Sequence, residues 1–123
     1  MKMVKVINPS FHRAIMKLSN QDMPISASKA VLSTLRKVKD ESEKYHKERI
    51  KLLTDNAEKT EDGSAKMDEE NNFIIAEENK EKVNEALTKM MDKDIELSKI
   101  KIKDLSETKV SAQDFSLLES IIL

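Results

Sequence analysis

Residues 26–59, SASKAVLSTLRKVKDESEKYHKERIKLLTDNAEK, decide the fold. They contain neither glycine nor proline, and they begin two positions after Pro24 at Ser26, a residue suited to capping a helix. Val31, Leu35, Val38, Ser42, Tyr45, Arg49 and Leu52 recur at alternating spacings of four and three. That is the seam of a helix packed lengthwise against another. Ser42 and Arg49 interrupt it, so a long hairpin helix with an imperfect apolar face fits better than a strict coiled coil. Such a helix, about 26–59, is ~50 Å long at 1.5 Å per residue. A compact chain of this length is only ~35 Å across. The helix is therefore expected to overhang, with its apolar positions covered by a second copy, and the chain to form a homo-oligomer.

The flanking segments read as shorter elements. Asn8-Pro9 opens a helix over about 9–19, in which Phe11, Ala14, Ile15 and Leu18 form one stripe. Before it, Met3 to Ile7 is β-branched and predicts an edge strand or an extended segment. Beyond the long helix, Glu61-Asp62-Gly63-Ser64 is a turn signal that begins an acidic tip over about 60–72. Phe73-Ile74-Ile75 predicts one short strand. Val83, Leu87, Met90 and Asp94, with Ala86 and Met91 beside them, mark a returning helix over about 78–93. Ile95, Leu97, Ile100 and Ile102 alternate with polar residues apart from a slip at Ser98-Lys99, which is strand chemistry with a bulge. Ser111-Ala112-Gln113-Asp114 caps a last helix whose face is Phe115, Leu118, Ile121 and Ile122. The apolar end, Ile121-Ile122-Leu123, is expected to dock on its own core or on a neighbour. The expected fold is mostly α (α+β): a long antiparallel helical hairpin, short terminal helices and a small β element, in a single domain over 1–123.

Composition excludes several function classes. Charged residues make up 37% of the 123, and there are four aromatics, one glycine and no cysteine. Without cysteine there is no disulfide, thiolate zinc site, iron–sulfur cluster or cysteine nucleophile. One glycine, Gly63, leaves no phosphate-cradling loop or dinucleotide fingerprint, both of which need close backbone approach. No apolar run reaches the ~18 residues of a membrane span, and Met1 to Ile7 is too short and lysine-rich for a signal peptide, so no membrane contact and a cytoplasmic setting are expected. Leu, Ile, Val and Phe total 31 residues, enough for a modest core.

Catalytic chemistry finds little to stand on. His46 has Glu43 at i−3, but two ligands do not make a metal site and no HExxH spacing exists. His12 has no serine or carboxylate partner at a telling spacing. The acidic groups Asp68-Glu69-Glu70 and Glu77-Glu78 read as a solvated tip, and Asp62-Gly63-Ser64 lacks the rest of a calcium loop. No catalytic residue, metal ligand or cofactor is assigned, and the chain is read as non-enzymatic. The seven methionines, Met90-Met91 among them, read as core filler or as an adaptable surface.

Charge is unevenly distributed. Residues 1–53 hold 12 Lys/Arg and 5 Asp/Glu, while residues 54–123 hold 10 and 18. All three arginines, Arg13, Arg36 and Arg49, lie in the basic part, and arginine suits bidentate contacts with phosphate or carboxylate. They are the candidate ligand-binding residues. The basic segment has three candidate uses: pairing with the acidic part of the same chain, pairing with another subunit, or binding a small anionic ligand. Nucleic acid is disfavoured, because only Phe11 and Tyr45 offer stacking surface there and the net charge is −1.

The order of features resembles a loosely defined group of small proteins encoded by tailed bacteriophages. The resemblance is carried by Met23-Pro24, Glu41-Ser42-Glu43-Lys44-Tyr45-His46-Lys47-Glu48-Arg49, Glu61-Asp62-Gly63, Ile95 to Leu105, and Val110-Ser111 through Leu118-Glu119. It spans most of the chain, but its motifs are structural punctuation and carry no catalytic residue. It implies a phage protein working in the host cytoplasm. The expected role is an oligomeric, non-enzymatic binding protein that sequesters or blocks a host component, either a host protein or a phosphorylated molecule of defence signalling. The alternative is a virion-assembly or scaffold protein.

Overall fold

A computed structural model describes residues 1–123, and it is mostly helical. Five α-helices run in order: α1 Met3–Val6, α2 Pro9–Ser19, α3 Ile25–Asn56, α4 Lys80–Asp92 and α5 Ala112–Leu118. Single 3-10 turns lie at Glu77–Asn79, Ile102–Leu105 and Glu119–Ile121. The chain divides into two compact units, Met1–Ser42 with Lys93–Leu123, and Glu43–Asp92. The division falls within α3.

In the first unit, α2 has the predicted bounds, for the predicted reasons. Pro9 takes the first helical position, where its missing N–H costs nothing, and the Asn8 side chain accepts a hydrogen bond from the Ser10 N–H at 2.9 Å. Phe11, Ala14, Ile15 and Leu18 are all buried, and α2 packs against α5. Ser111 caps α5 through the Asp114 N–H at 3.0 Å. Leu118 and Ile121 of the predicted face are buried, but Phe115, also placed on that face by its spacing, is 38% exposed.

Met3 to Ile7 is not a strand. Residues Met3–Val6 close a single helical turn, and extended pairing is confined to the residues before it. Lys2 bridges Asp94, the Met3 N–H donates to the Lys93 carbonyl at 2.8 Å, and the Ile95 N–H donates to the Met1 carbonyl at 2.7 Å. Pairing at that point leaves Met3 and Val6, three residues apart, to be buried on one face of a helical turn rather than on opposite sides of a strand.

The predicted strand at 95–102 is likewise reduced. Ile95 and Ile100 are buried, and Ile100 makes one parallel bridge with Ile122. The Ile100 N–H donates to the Ile121 carbonyl, the Leu123 N–H to the Ile100 carbonyl and the Ile102 N–H to the Leu123 carbonyl, at 2.7 to 2.9 Å. The apolar end is thus docked on its own chain. From Ile102 the backbone turns into a 3-10 turn, which ends the pairing.

The loop before α5 is held by one side chain. The Gln21 amide pairs with both backbone groups of Lys109, accepting from its N–H at 2.9 Å and donating to its carbonyl, as a neighbouring strand would. Gln21→Ala removes both bonds. It is expected to cost about 1–2 kcal/mol and to raise the amide exchange rate of Lys109 while leaving that of Ile15 unchanged.

The buried residues of α3 are Ala27, Val31, Thr34, Val38, Glu41 and Tyr45, then Leu53 and Asn56 near its end, where the predicted seam residues Arg49 and Leu52 are exposed and half-buried. This corrects the predicted seam. Val31, Val38 and Tyr45 are shared, but Thr34 and Glu41 are buried where Leu35 and Ser42 were expected, and those two are half-buried on the flank. The polar members are satisfied. Thr34 Oγ1 donates to the Ala30 carbonyl at 2.9 Å and lies 3.3 Å from the Ser98 carbonyl, while Glu41 pairs with Lys37 at 3.2 Å.

In the second unit, α3 stops at Asn56, three residues before the predicted end. The Asn56 amide donates to the Leu52 carbonyl at 2.8 Å and the Lys59 ammonium to the Thr54 carbonyl at 2.7 Å, so side chains satisfy carbonyls of the last turn. The Asn56 carbonyl instead accepts from the Ala76 N–H.

The segment between α3 and the 3-10 turn at Glu77–Asn79 contains no strand, yet it is ordered. Three bridges join Ala57 to Ile75, Lys59 to Ala65 and Met67 to Phe73. Inside them a closed cycle forms: the Glu58 N–H donates to the Ile74 carbonyl, the Ile74 N–H to the Lys66 carbonyl and the Lys66 N–H to the Glu58 carbonyl, at 2.7 to 3.0 Å. The three residues are spaced eight apart. At each of these residues the N–H and the C=O go to two different segments, whereas a strand residue turns both to one neighbour, and each pairing is a single bridge. The predicted strand at Phe73-Ile74-Ile75 is one side of this ring. Its turns use Gly63 at φ +85° and Asn71 at φ +63°, residue types that tolerate the left-handed region.

Candidate functional site

The three sequence-predicted arginines do not form one cluster. Arg13, on α2, donates to Ser10 Oγ at 3.0 Å. Arg36 and Arg49 are exposed on α3, one in each unit. Thirteen residues of helix separate them by about 20 Å along the axis. The side chains of one chain therefore cannot grip a single small anion with both. The histidines are exposed as well, His46 resting edge-on against Tyr45 with ring centres 5.4 Å apart. No three His, Asp or Glu side chains gather in a way that could hold a metal ion.

Charge follows the two units. The first carries thirteen Lys/Arg against nine Asp/Glu, and the second nine against fourteen. In the second unit, a cleft of about 440 Å³ has Phe73, Ile75 and Val83 in its lining and Glu58, Asp68 and Glu77 beside them. Its carboxylates are already engaged. Glu58 lies 3.9 Å from Lys66, Glu77 accepts from Lys80 at 2.7 Å, and Asp68 accepts the Glu70 and Asn72 N–H groups at 2.9 Å. The Glu77 carboxylate holds the Lys80 ammonium above its ordinary value of 10.5.

The tip is shaped by a carboxylate too. Asp62 accepts from the Thr60 hydroxyl and from the Ser64 N–H, which lowers its pKa below the usual 3.8. A lowered carboxylate supports the folded turn above its unfolded value, and that support is lost as pH falls through the lower folded value. Acid titration is therefore expected to leave the Ser64 amide protected at pH 4 to 5 and to release it only below 3.8. Asp62→Asn should flatten this dependence.

The strongest surface feature was not legible as a site. Ile25, Leu123 and Ile102 are the most exposed large apolar residues of the chain, at 76, 68 and 56%. All three lie in the first unit, and hydrogen bonds link the segments that carry them. The Ser26 hydroxyl lies 3.4 Å from the Asp104 carboxylate, tying the first turn of α3 to the 3-10 turn that Ile102 begins, and the Ile102 N–H donates to the Leu123 carbonyl. Exposed Lys101 and Lys103 flank Ile102 in the chain, and Lys99 reaches the Ser120 carbonyl. These exposed aliphatic residues, with cations beside them, are the chain's most solvent-accessible large apolar groups. The sequence held no signal for it: Ile102 between Lys101 and Lys103 reads as an inward position of an alternating strand.

No helix is long and apolar enough to cross a membrane. Comparison with known proteins found no match: no family model fits the chain, and no curated protein or solved structure is significantly similar to it.

Proposed function

We propose that this chain is a phage-encoded, non-enzymatic binding protein that acts as an oligomer in the host cytoplasm and blocks a host component. The phage origin rests on the sequence pattern described above. The observation that carries the binding role is the edge formed by Ile25, Ile102 and Leu123, whose exposure is hard to reconcile with an isolated monomer. A host protein is the better target than a phosphorylated signalling molecule. With Arg36 and Arg49 about 20 Å apart, a small phosphorylated ligand would need arginines from different protomers.

We further propose that α4 returns antiparallel beside the second half of α3 as a helical hairpin, with the bridged ring as a small β tip. Support for this comes from the antiparallel bridge of Ala57 with Ile75 and the Ala76 to Asn56 hydrogen bond, which close the chain between the end of α3 and the start of the Glu77–Asn79 turn.

Sedimentation velocity over a range of concentrations tests the oligomer. Self-association that Ile102→Glu weakens is the expected result, and a monomer at every concentration overturns it. Tagged protein recovered from infected cells should bring down a host protein, and Ile102→Glu should lose it. Finding the chain in purified particles would instead establish virion assembly.

A further inference from the structure

A second cleft, of about 450 Å³, opens in the first unit between the α1–α2 corner and the end of α5. Its size is in the range of small-molecule sites. Phe11, 2% exposed, and half-buried Leu117 supply apolar lining. The packing of α2 against both α1 and α5 holds the walls together.

Its charged side chains and hydroxyls have no partner within the chain. Lys5 and Glu119 both line the cleft, one cation and one anion, and neither takes part in an ion pair. The Ser116 and Ser120 hydroxyls line it as well and make no internal hydrogen bond. Asn8, also in the lining, caps α2 with its oxygen, and its NH₂ makes no hydrogen bond within the chain. Opposite charges that share a cleft without meeting are completed by a molecule bearing both complements, a carboxylate for Lys5 and an ammonium for Glu119. The apolar lining selects what lies between them.

We infer that this cleft binds a zwitterion with an apolar side chain, of the size of an amino acid or dipeptide, with its carboxylate on Lys5, its ammonium on Glu119 and its side chain against Phe11 and Leu117. The site is independent of the apolar edge and goes beyond the blocking role.

Titration of the full chain with L-phenylalanine, L-leucine and leucyl-phenylalanine, followed by amide chemical shifts and calorimetry, tests it. Saturable binding is expected from at least one of the three at millimolar concentration, with shifts centred on Ser116 and Ser120. The N-acetyl and the amide derivative of the binder should each bind about tenfold more weakly, as should Lys5→Ala and Glu119→Ala, since each removes one charge-assisted contact. Both positions are exposed, so the variants are expected to fold, and an unchanged melting temperature checks this. Absence of saturable binding by all three probes, or binding equal in both variants and wild type, overturns the inference. Sedimentation and host-protein capture are unaffected by that failure, so the two proposals fall separately.

Discussion

Leu118→Ala is expected to lower the unfolding free energy by about 2–5 kcal/mol. Leu118 is fully buried on α5, which packs against α2, and it lines one crevice with Ala14 and Leu18 of that helix. The truncation loses the transfer free energy of the removed groups and leaves a cavity whose lining comes from two helices. Neither helix collapses into it easily, because α2 is fixed by the Asn8 cap and α5 by the Ser111 cap. Leu117→Ala, one residue away and only half-buried, is the internal control and should cost under about 1 kcal/mol. Urea denaturation of both variants measures the difference. Equal losses would show that α5 does not dock through Leu118.

The second large effect concerns the buried acid of α3. Glu41 has a side chain only 8% exposed and meets Lys37, itself 48% exposed, at 3.2 Å. Removing the cation in Lys37→Ala leaves a nearly buried carboxylate alone, which is expected to cost about 1–3 kcal/mol. The half-exposed lysine places this below the about 3–5 kcal/mol of a fully buried broken pair. Replacing the acid behaves differently. Glu41→Met puts an apolar side chain between Val38 and Tyr45 on the buried stripe and is expected to be neutral or stabilising, by up to about 4 kcal/mol. In the double variant the cost of losing Lys37 should vanish. Thermal unfolding of the three variants reads the cycle. A strongly destabilised Glu41→Met would show that the carboxylate has further partners that set the helix position.

Much of the helical framework was legible because helix formation is local. Caps at Asn8 and Ser111, the turn at Gly63 and the uninterrupted run after Pro24 depend on residues within a few positions of each other. The helices they announce are present within a few residues of their predicted bounds. The candidate site was far less legible. Arg13, Arg36 and Arg49 were grouped by residue type, and residue type carries no information about separation along a helix. The apolar edge is not legible in the sequence, because Ile102 fits an alternating pattern and Ile25 reads as the start of a helix. Whether either is covered depends on chain far away.

The sequence alone determined where the four longer helices lie, which turns separate them and how the charge is divided, since each follows from spacing, capping and composition. Only the tertiary structure decided the rest. It placed Thr34 and Glu41 rather than Leu35 and Ser42 on the buried stripe of α3. It made one helical turn of Met3–Val6 and limited the β-like segments to single bridges. Partners far along the chain set these outcomes: Ser98 for Thr34, 64 residues away, and Ile95 for Met1, 94 residues away. A backbone group or apolar face takes the environment those distant segments bring to it. Local periodicity fixes which residues share a face, but not which face the remaining chain will cover.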